Sequence, residues 1–376
     1  MALSKKQKWN KFINDLPHHQ LPYSKKNWGN SNHSLCSYQG KLKPAIAHFL
    51  VDTFVPQKGR LLDPFSGVGT IPFEAALDNK TSFGIDISPL AYIVSSAKVQ
   101  RCNRAACYEY LHQMAEYINT HTVPEEYRRI HGQFGLNKTL ADYYNEDTFT
   151  EILLARLFIT ENPPVTSEQM LVVASLLHIL HGNRPYALSR KSHPIIPYAP
   201  TGDFIYKNLI VKVTEKLEKS LDVLPNRSFK DGKIFLGDST QKWDDEIDEL
   251  DAIITSPPFF DSTRFYSANW IRLWFTGWDA NMFTTEPAKY IDERQKIDFD
   301  VYNPIFEQAK ERLKRSGYFV MHLGKSNKCD MGLVLQEKSK RWFAHSELFT
   351  ENVENCAKFG IHDLGTVTDH QYLVMH

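Results

Sequence analysis

Ser256-Pro257-Pro258-Phe259 brings a hydroxyl, two ring-locked backbone positions and an aromatic face together in four residues. Proline fixes φ and has no N–H, so the carbonyls here sit on stiff backbone. The Ser256 hydroxyl can both donate and accept a hydrogen bond. A hydroxyl, a rigid carbonyl and a ring would together grip a flat, hydrogen-bonding group such as a nucleobase. An ordinary proline turn after a strand is the competing reading.

A second group lies earlier in the chain. Asp63-Pro64-Phe65-Ser66-Gly67-Val68-Gly69-Thr70 places an acid before a glycine-rich turn. Glycine reaches positive φ and lets a ligand come close to the backbone. Asp86 follows Gly69 by 17 residues, near the end of Ser82-Phe83-Gly84-Ile85-Asp86-Ile87. A carboxylate there can accept both hydroxyls of a ribose, and the spacing suits a nucleoside-bearing ligand.

Regular structure has to hold these groups in place. Ala252-Ile253-Ile254 predicts a buried strand of a parallel sheet. Its carboxyl end delivers Ser256, where open α/β sheets bind ligands. Residues 60–63 and 82–87 predict two more strands, and 71–77 a helix whose N-terminus meets the same edge. Ser88-Pro89 opens another helix, running to about Val99. Lys233-Ile234-Phe235-Leu236 predicts a strand that ends at Gly237-Asp238-Ser239. Residues 303–314 suit a helix, while 317–322 and 371–375 suit strands. Ile46, Phe49 and Leu50 give residues 45–53 an amphipathic helical pattern.

Three regions fall outside this frame. Residues 1–34 are polar and basic, and read as a flexible or loosely docked arm. Residues 102–232 read as mainly helical and interrupt the strand pattern. Within them, 182–202 form a long irregular loop carrying Arg184, Ser189, Arg190, Lys191 and His193. Those side chains suit phosphates and base edges. An aromatic-rich run follows the proline pair, with Tyr266 its expected pocket-lining ring.

Lys+Arg and Asp+Glu both number 44, so a nucleic-acid-binding chain would have to gather its cations locally. The longest apolar run, 170–177, is too short to span a bilayer. No secretory leader pattern opens the chain. The five cysteines form no Cys-x-x-Cys pair, which argues against a zinc knuckle or disulfide framework and fits a reducing cytoplasm.

In order and combination, Asp63 to Thr70, Gly84-Ile85-Asp86 and Thr255 to Phe259 resemble the motifs of S-adenosylmethionine-dependent DNA amino-methyltransferases. The resemblance covers residues 36–101 and 234–376. The serine form is most similar to the cytosine-N4 branch, since the adenine-N6 branch usually has Asp or Asn there. Phe259 stands where the family more often has tyrosine, which keeps an aromatic face and loses a hydroxyl. The fold it implies is α/β: a Rossmann-like class I methyltransferase sheet, mostly parallel with an antiparallel terminal strand. The catalytic domain would be 35–101 with 233–376, and the helical insert 102–232 would recognise the target.

The resemblance also implies a cofactor, S-adenosylmethionine, and no metal. Its site would comprise Tyr38 and Lys41, the turn residues Asp63, Pro64, Phe65, Ser66, Gly67, Gly69 and Thr70, then Asp86 and Ile87. Asp238 and Ser239 would meet the adenine. Ser256 and the Pro257 carbonyl would accept hydrogen bonds from the target amino group, with Pro258 stiffening the loop and Phe259 stacking on a flipped base. Double-stranded DNA is the implied partner, contacted by Arg184, Ser189, Arg190, Lys191, His193 and Tyr266. A cognate restriction endonuclease would act separately.

Two rivals fail on residues. A nicotinamide dehydrogenase needs a third turn glycine where Pro72 stands. A cytosine-C5 methyltransferase needs a nucleophilic cysteine, typically after a proline, and no cysteine here follows one. An adenine-N6 enzyme stays open, as does a catalytically silent methyltransferase-like subunit. So does an RNA guanosine-N2 enzyme, although its usual motif is Asp-Pro-Pro-Tyr and the stretch before Asp63 is short for its RNA-binding domain.

Overall fold

Seven strands organise the chain: β1 (Arg60–Asp63), β2 (Thr81–Asp86), β3 (Lys233–Leu236), β4 (Leu250–Thr255), β5 (Leu313–Ser326), β6 (Ser346–Asn352) and β7 (Val367–Met375). The computed structural model describes residues 3–25, 27–223, 228–260, 264–354, 356–359, 361 and 367–376. The sheet order is β3-β2-β1-β4-β5-β7-β6. The first five strands run parallel, and β7 lies antiparallel between β5 and β6. This is the Rossmann-like sheet expected from the sequence.

Strand side chains alternate between the two faces of the sheet. Leu61, Ala252, Ile254 and Val320 enter one core with α2 (Pro44–Phe54) and α3 (Thr70–Leu77). Leu62, Ile253, Phe319 and Met321 enter the opposite core. The strand order reverses between β1 and β4, a switch point where a crevice opens at the carboxyl ends.

The N-terminal segment is docked, which corrects the expectation of a loose arm. Trp9 and Phe12 of α1 (Lys5–Asp15) are buried against Phe54 and Tyr372. His18 is fully buried and hydrogen-bonds Glu351 of β6 at 3.0 Å. Periodicity missed this because α1 buries two large rings rather than a continuous stripe.

After β2, α4 (Pro89–Val99) begins at Ser88, whose hydroxyl caps Ala91 N–H. The insert then contributes α5 (Arg104–Thr120), α6 (Glu125–Gln133), α7 (Leu140–Tyr143), α8 (Glu146–Glu161), α9 (Ser167–Ile179) and α10 (Leu209–Leu221). Residues 224–227 of the insert, and 1–2 and 26 of the N-terminal segment, lie outside the described residues. Apolar side chains of the insert share one core with Leu90, Val94 and Ala97 of α4, so insert and sheet domain are joined through common packing.

Beyond β4 come α11 (Phe265–Ala268) and α12 (Trp270–Phe275). From α12 the buried Arg272 donates to the carbonyls of Leu177 (2.9 Å) and Pro194 (3.2 Å), fastening the insert's long loop to the body. Of the helices that follow, α13 (Met282–Thr285), α14 (Ile291–Arg294), α15 (Asn303–Arg312) and α16 (Met331–Ser339), α15 and α16 cover the second sheet face. The expected helix at 303–314 ends at Arg312, because Leu313 already starts β5.

Candidate functional site

The switch point is bridged directly. Thr255 at the end of β4 donates to Asp63 at the end of β1, 2.6 Å away, and Phe65 N–H donates to the same oxygen at 3.1 Å. Burial pushes the Asp63 carboxyl up to about 7, against the pull of both hydrogen bonds. The glycine turn runs from here into α3, with Gly67 at φ 49° and Gly69 at φ 69°. A side chain at Gly69 would also stand 2.7 Å from Ser95 Cβ. Glycine is thus required there both for conformation and for space. Lys98 of α4 is buried beneath the turn and donates to the Val68 carbonyl.

Asp86 closes the turn from the next strand. Its carboxylate accepts Gly67 N–H at 2.8 Å and Ser88 N–H at 2.9 Å. Burial raises it to about 6 while those two N–H groups oppose the shift. Each oxygen keeps a lone pair for a ligand hydroxyl.

A cavity of about 1460 Å³ joins this turn to Ser256, Pro257, Pro258 and Phe259. Tyr38 and Lys41 lie in its wall, on a segment held to α3 by the His33–Glu74 contact at 2.6 Å. Phe65, Ser66, Thr70 and Ile87 also face it, and Pro64 supports the turn by accepting from the Ser239 hydroxyl. The Ser256 hydroxyl lies 3.0 Å from His322 Nδ1, and Phe259 packs against both His322 and His370, at 5.5 and 5.8 Å. Gln295 holds the loop by donating to the Pro258 carbonyl at 3.0 Å.

Residues 32–115 match the sequence model of the family UPF0020, described as RMKL-like, methyltransferase domain. The chain carries a methyltransferase domain. S-adenosylmethionine is its cofactor, as that family and the sheet order imply. No curated protein matches the sequence. Among solved structures, the methyltransferase is similar to a TehB-like SAM-dependent methyltransferase from Corynebacterium glutamicum. They share 9% identity over 88% of this chain and 85% of that one, at a TM-score of 0.33. An rRNA methylase from Streptococcus thermophilus follows at 8% identity, 89% and 97% coverage, and a TM-score of 0.32. The rRNA methyltransferase aviRa from Streptomyces viridochromogenes stands at 10%, 91% and 88%, and 0.29.

The residues present fit such a cofactor. Asp86 would accept ribose hydroxyls with the lone pairs that Gly67 and Ser88 leave, and the glycine turn would let a ligand approach its backbone. Sequence reasoning missed Asp292 of α14, a buried carboxylate in the cavity wall whose Oδ1 hydrogen-bonds no described residue. Burial raises its carboxyl above the usual range. Residues 237–239 line the cavity, with the Asp238 side chain paired to Arg294 at 2.9 Å and accepting Thr240 N–H at 2.9 Å.

The residues expected to meet DNA divide. Arg184 and His193 line the cavity of the methyltransferase. Arg190 turns inward, donating to Gly202 O at 2.7 Å and Asp142 O at 2.9 Å, with Phe204 against its guanidinium. Ser189 is buried with its hydroxyl on Arg190 O, and Lys191 is exposed away from the cavity. Phe265 lines the cavity in place of Tyr266. On α10, Lys216 and Lys219 join Arg184 in the wall, and among the described residues none of the three is ion-paired. Burial pulls the Lys216 amine down to about 8.

His18, His19 and Glu351 bring three metal-type ligand atoms within 4.8 Å of one another. Glu351 already meets His18, His19 and the Tyr372 hydroxyl at 3.0, 2.7 and 3.0 Å. The cluster is a clasp between the N-terminal segment and the sheet, in which His18 and Tyr372 hydrogen-bond Glu351.

Proposed function

We propose that this methyltransferase transfers a methyl group to the N4 amino group of cytosine in DNA, with the base flipped into the cavity beside Phe259. The observation that carries this reading is that Ser256, Pro257 and Phe259 open into the same cavity as Asp86 and the glycine turn. Lys216, Lys219 and Arg184 in the wall of the same cavity, ion-paired with no described residue, add support, because a phosphate backbone supplies the anions they lack. Bound S-adenosylmethionine supplies an electrophilic methyl group on a sulfonium, and the electron pair of the broken S–C bond leaves with the thioether.

The chain's own task is to make a poor nucleophile attack. The amino nitrogen of cytosine shares its lone pair with the ring. Acceptors at Ser256 Oγ and the Pro257 carbonyl would draw its hydrogens out of the ring plane and localise that pair. No described residue donates to the Pro257 carbonyl, whereas the Pro258 carbonyl accepts from Gln295. Phe259 replaces the stacking neighbour that a flipped base leaves behind, worth roughly 1–3 kcal/mol.

Mass spectrometry of nucleosides from DNA treated with the protein tests the reading. N4-methylcytosine is expected, and Ser256→Ala should cut single-turnover transfer by ~10²–10³-fold while cofactor affinity holds. N6-methyladenine would reassign the target base. Methylated RNA beside unmodified DNA would overturn the DNA assignment.

A further inference from the structure

We infer that His322 is the positioning residue that fixes Ser256 as a hydrogen-bond acceptor and takes up the proton that methyl transfer releases. The inference rests on the proposed transfer to an amino group. His322 lies in β5, 66 residues beyond Ser256, and its ring is buried in the wall of the cavity. Its Nδ1 stands 3.0 Å from Ser256 Oγ, while Nε2 hydrogen-bonds no described residue.

The polarity of that contact matters. A nucleobase amino group presents only hydrogens to its partner, so a serine O–H aimed at it would meet donor with donor. The serine proton must point elsewhere, and among the described residues His322 Nδ1, 3.0 Å away, is the acceptor within reach. This requires an imidazole that is neutral and protonated on Nε2. Burial and the neighbouring His370 hold the ring neutral, well below its ordinary range. Protonation of His322 would reverse the bond and turn the serine hydrogen toward the substrate.

The same contact supplies a route for the surplus proton. Once the amino nitrogen has formed its bond to the methyl carbon, it carries one hydrogen too many. That proton passes to Ser256 Oγ as the serine's own proton passes to His322 Nδ1. The products are a neutral methylamino group, a neutral serine and an imidazolium, which returns its proton to water when the site reopens. The charged and titratable groups around His322 are His370 and Tyr372 from β7, Glu351 from β6, and His18 from the N-terminal segment. Of these the Glu351 carboxylate favours the imidazolium, while His18 and His370 oppose it.

Two measurements test the inference. In nitrogen-15 histidine spectra of the wild-type protein, His322 should carry its proton on Nε2 with Nδ1 bare. His322→Asn, whose amide oxygen can accept from Ser256 without holding a proton, should lower the single-turnover rate about 10²-fold. Its cofactor and DNA affinities should stay within about threefold, because His322 acts through Ser256. A proton found on Nδ1, or a wild-type rate in His322→Asn, would overturn the inference. Failure of the functional reading looks different: wild-type protein would methylate no amino group at all, whereas the tautomer is read without substrate.

Discussion

Replacing Gly324 with alanine would move the Phe259 ring without altering that residue. Gly324 lies on β5 under the ring, and an added Cβ would stand 2.4 Å from Phe259 Cδ2 and 2.6 Å from Cγ. Ordinary contact begins near 3.4 Å, so the ring must retreat by about 1 Å. It has little room to tilt, because His322 and His370 pack against it at 5.5 and 5.8 Å. The backbone at Gly324 is not left-handed, so the variant tests crowding alone. Overpacking of this kind costs about 1–3 kcal/mol, and a 1 Å displacement at a reacting centre costs about 10² in rate. Gly324→Ala should therefore lower single-turnover methyl transfer about a hundredfold and weaken DNA binding. Calorimetric affinity for the cofactor should hold, since the glycine turn and Asp86 lie on other strands. In Gly324→Ala/Phe259→Ala the clash is gone, so the alanine at 324 should add little loss of melting temperature to that of Phe259→Ala. Gly324→Ala with wild-type rate and DNA affinity would refute the placement of Phe259 against the substrate.

Four further outcomes are expected. Asp86→Asn should weaken cofactor binding by about 1.5–3 kcal/mol, measured by calorimetry. In the folded chain Asp86 holds its proton up to about 6, against 3.8 ordinarily, so its contribution to stability falls as pH rises through that window. Affinity for a ligand whose hydroxyls it accepts runs the other way and should fall as pH drops through about 6. Removing Lys216, Lys219 and Arg184 together should lessen the salt dependence of DNA binding, by about one unit of slope for each phosphate no longer neutralised. An unchanged slope in folded protein would place the phosphate path elsewhere.

What was legible in the sequence is what neighbours in the chain decide together. Ala252-Ile253-Ile254 reads as a buried strand of a parallel sheet, and the structure sends these residues alternately into two cores. Asp86 follows the same logic, a strand-end acid whose partners Gly67 and Ser88 lie in adjacent turns. What escaped was settled at long range. His322 reads as one more residue of an apolar strand until the sheet sets β5 beside β4 and brings it to Ser256. Ser346–Asn352 pairs only with β7 at the sheet edge and lacks an apolar alternation, so β6 was not visible. Arg190 looked like a free cation because composition cannot reveal which carbonyls a folded loop will turn toward a guanidinium.

The clasp at Glu351 has a consequence for how the protein is made. His18 and Glu351 are 333 positions apart, and Lys5 reaches the Ser316 carbonyl across 311. Trp9 and Phe12 lean on Tyr372 as well as on Phe54 and Phe49 of α2, so their native cover stays incomplete until β7 has been synthesised. At ~5–20 residues per second that wait is on the order of tens of seconds. During it, the face of α1 that β7 will cover stays exposed, open to holding chaperones or to a neighbouring nascent chain. Long-separated contacts of this kind form late because loop closure must come before they repay it. One wall of the cavity follows soon after α1 in the chain, while Ser256 and His322 come far later. The cavity is therefore assembled only once β7, which supplies Val367 and His370 to its wall, has been made.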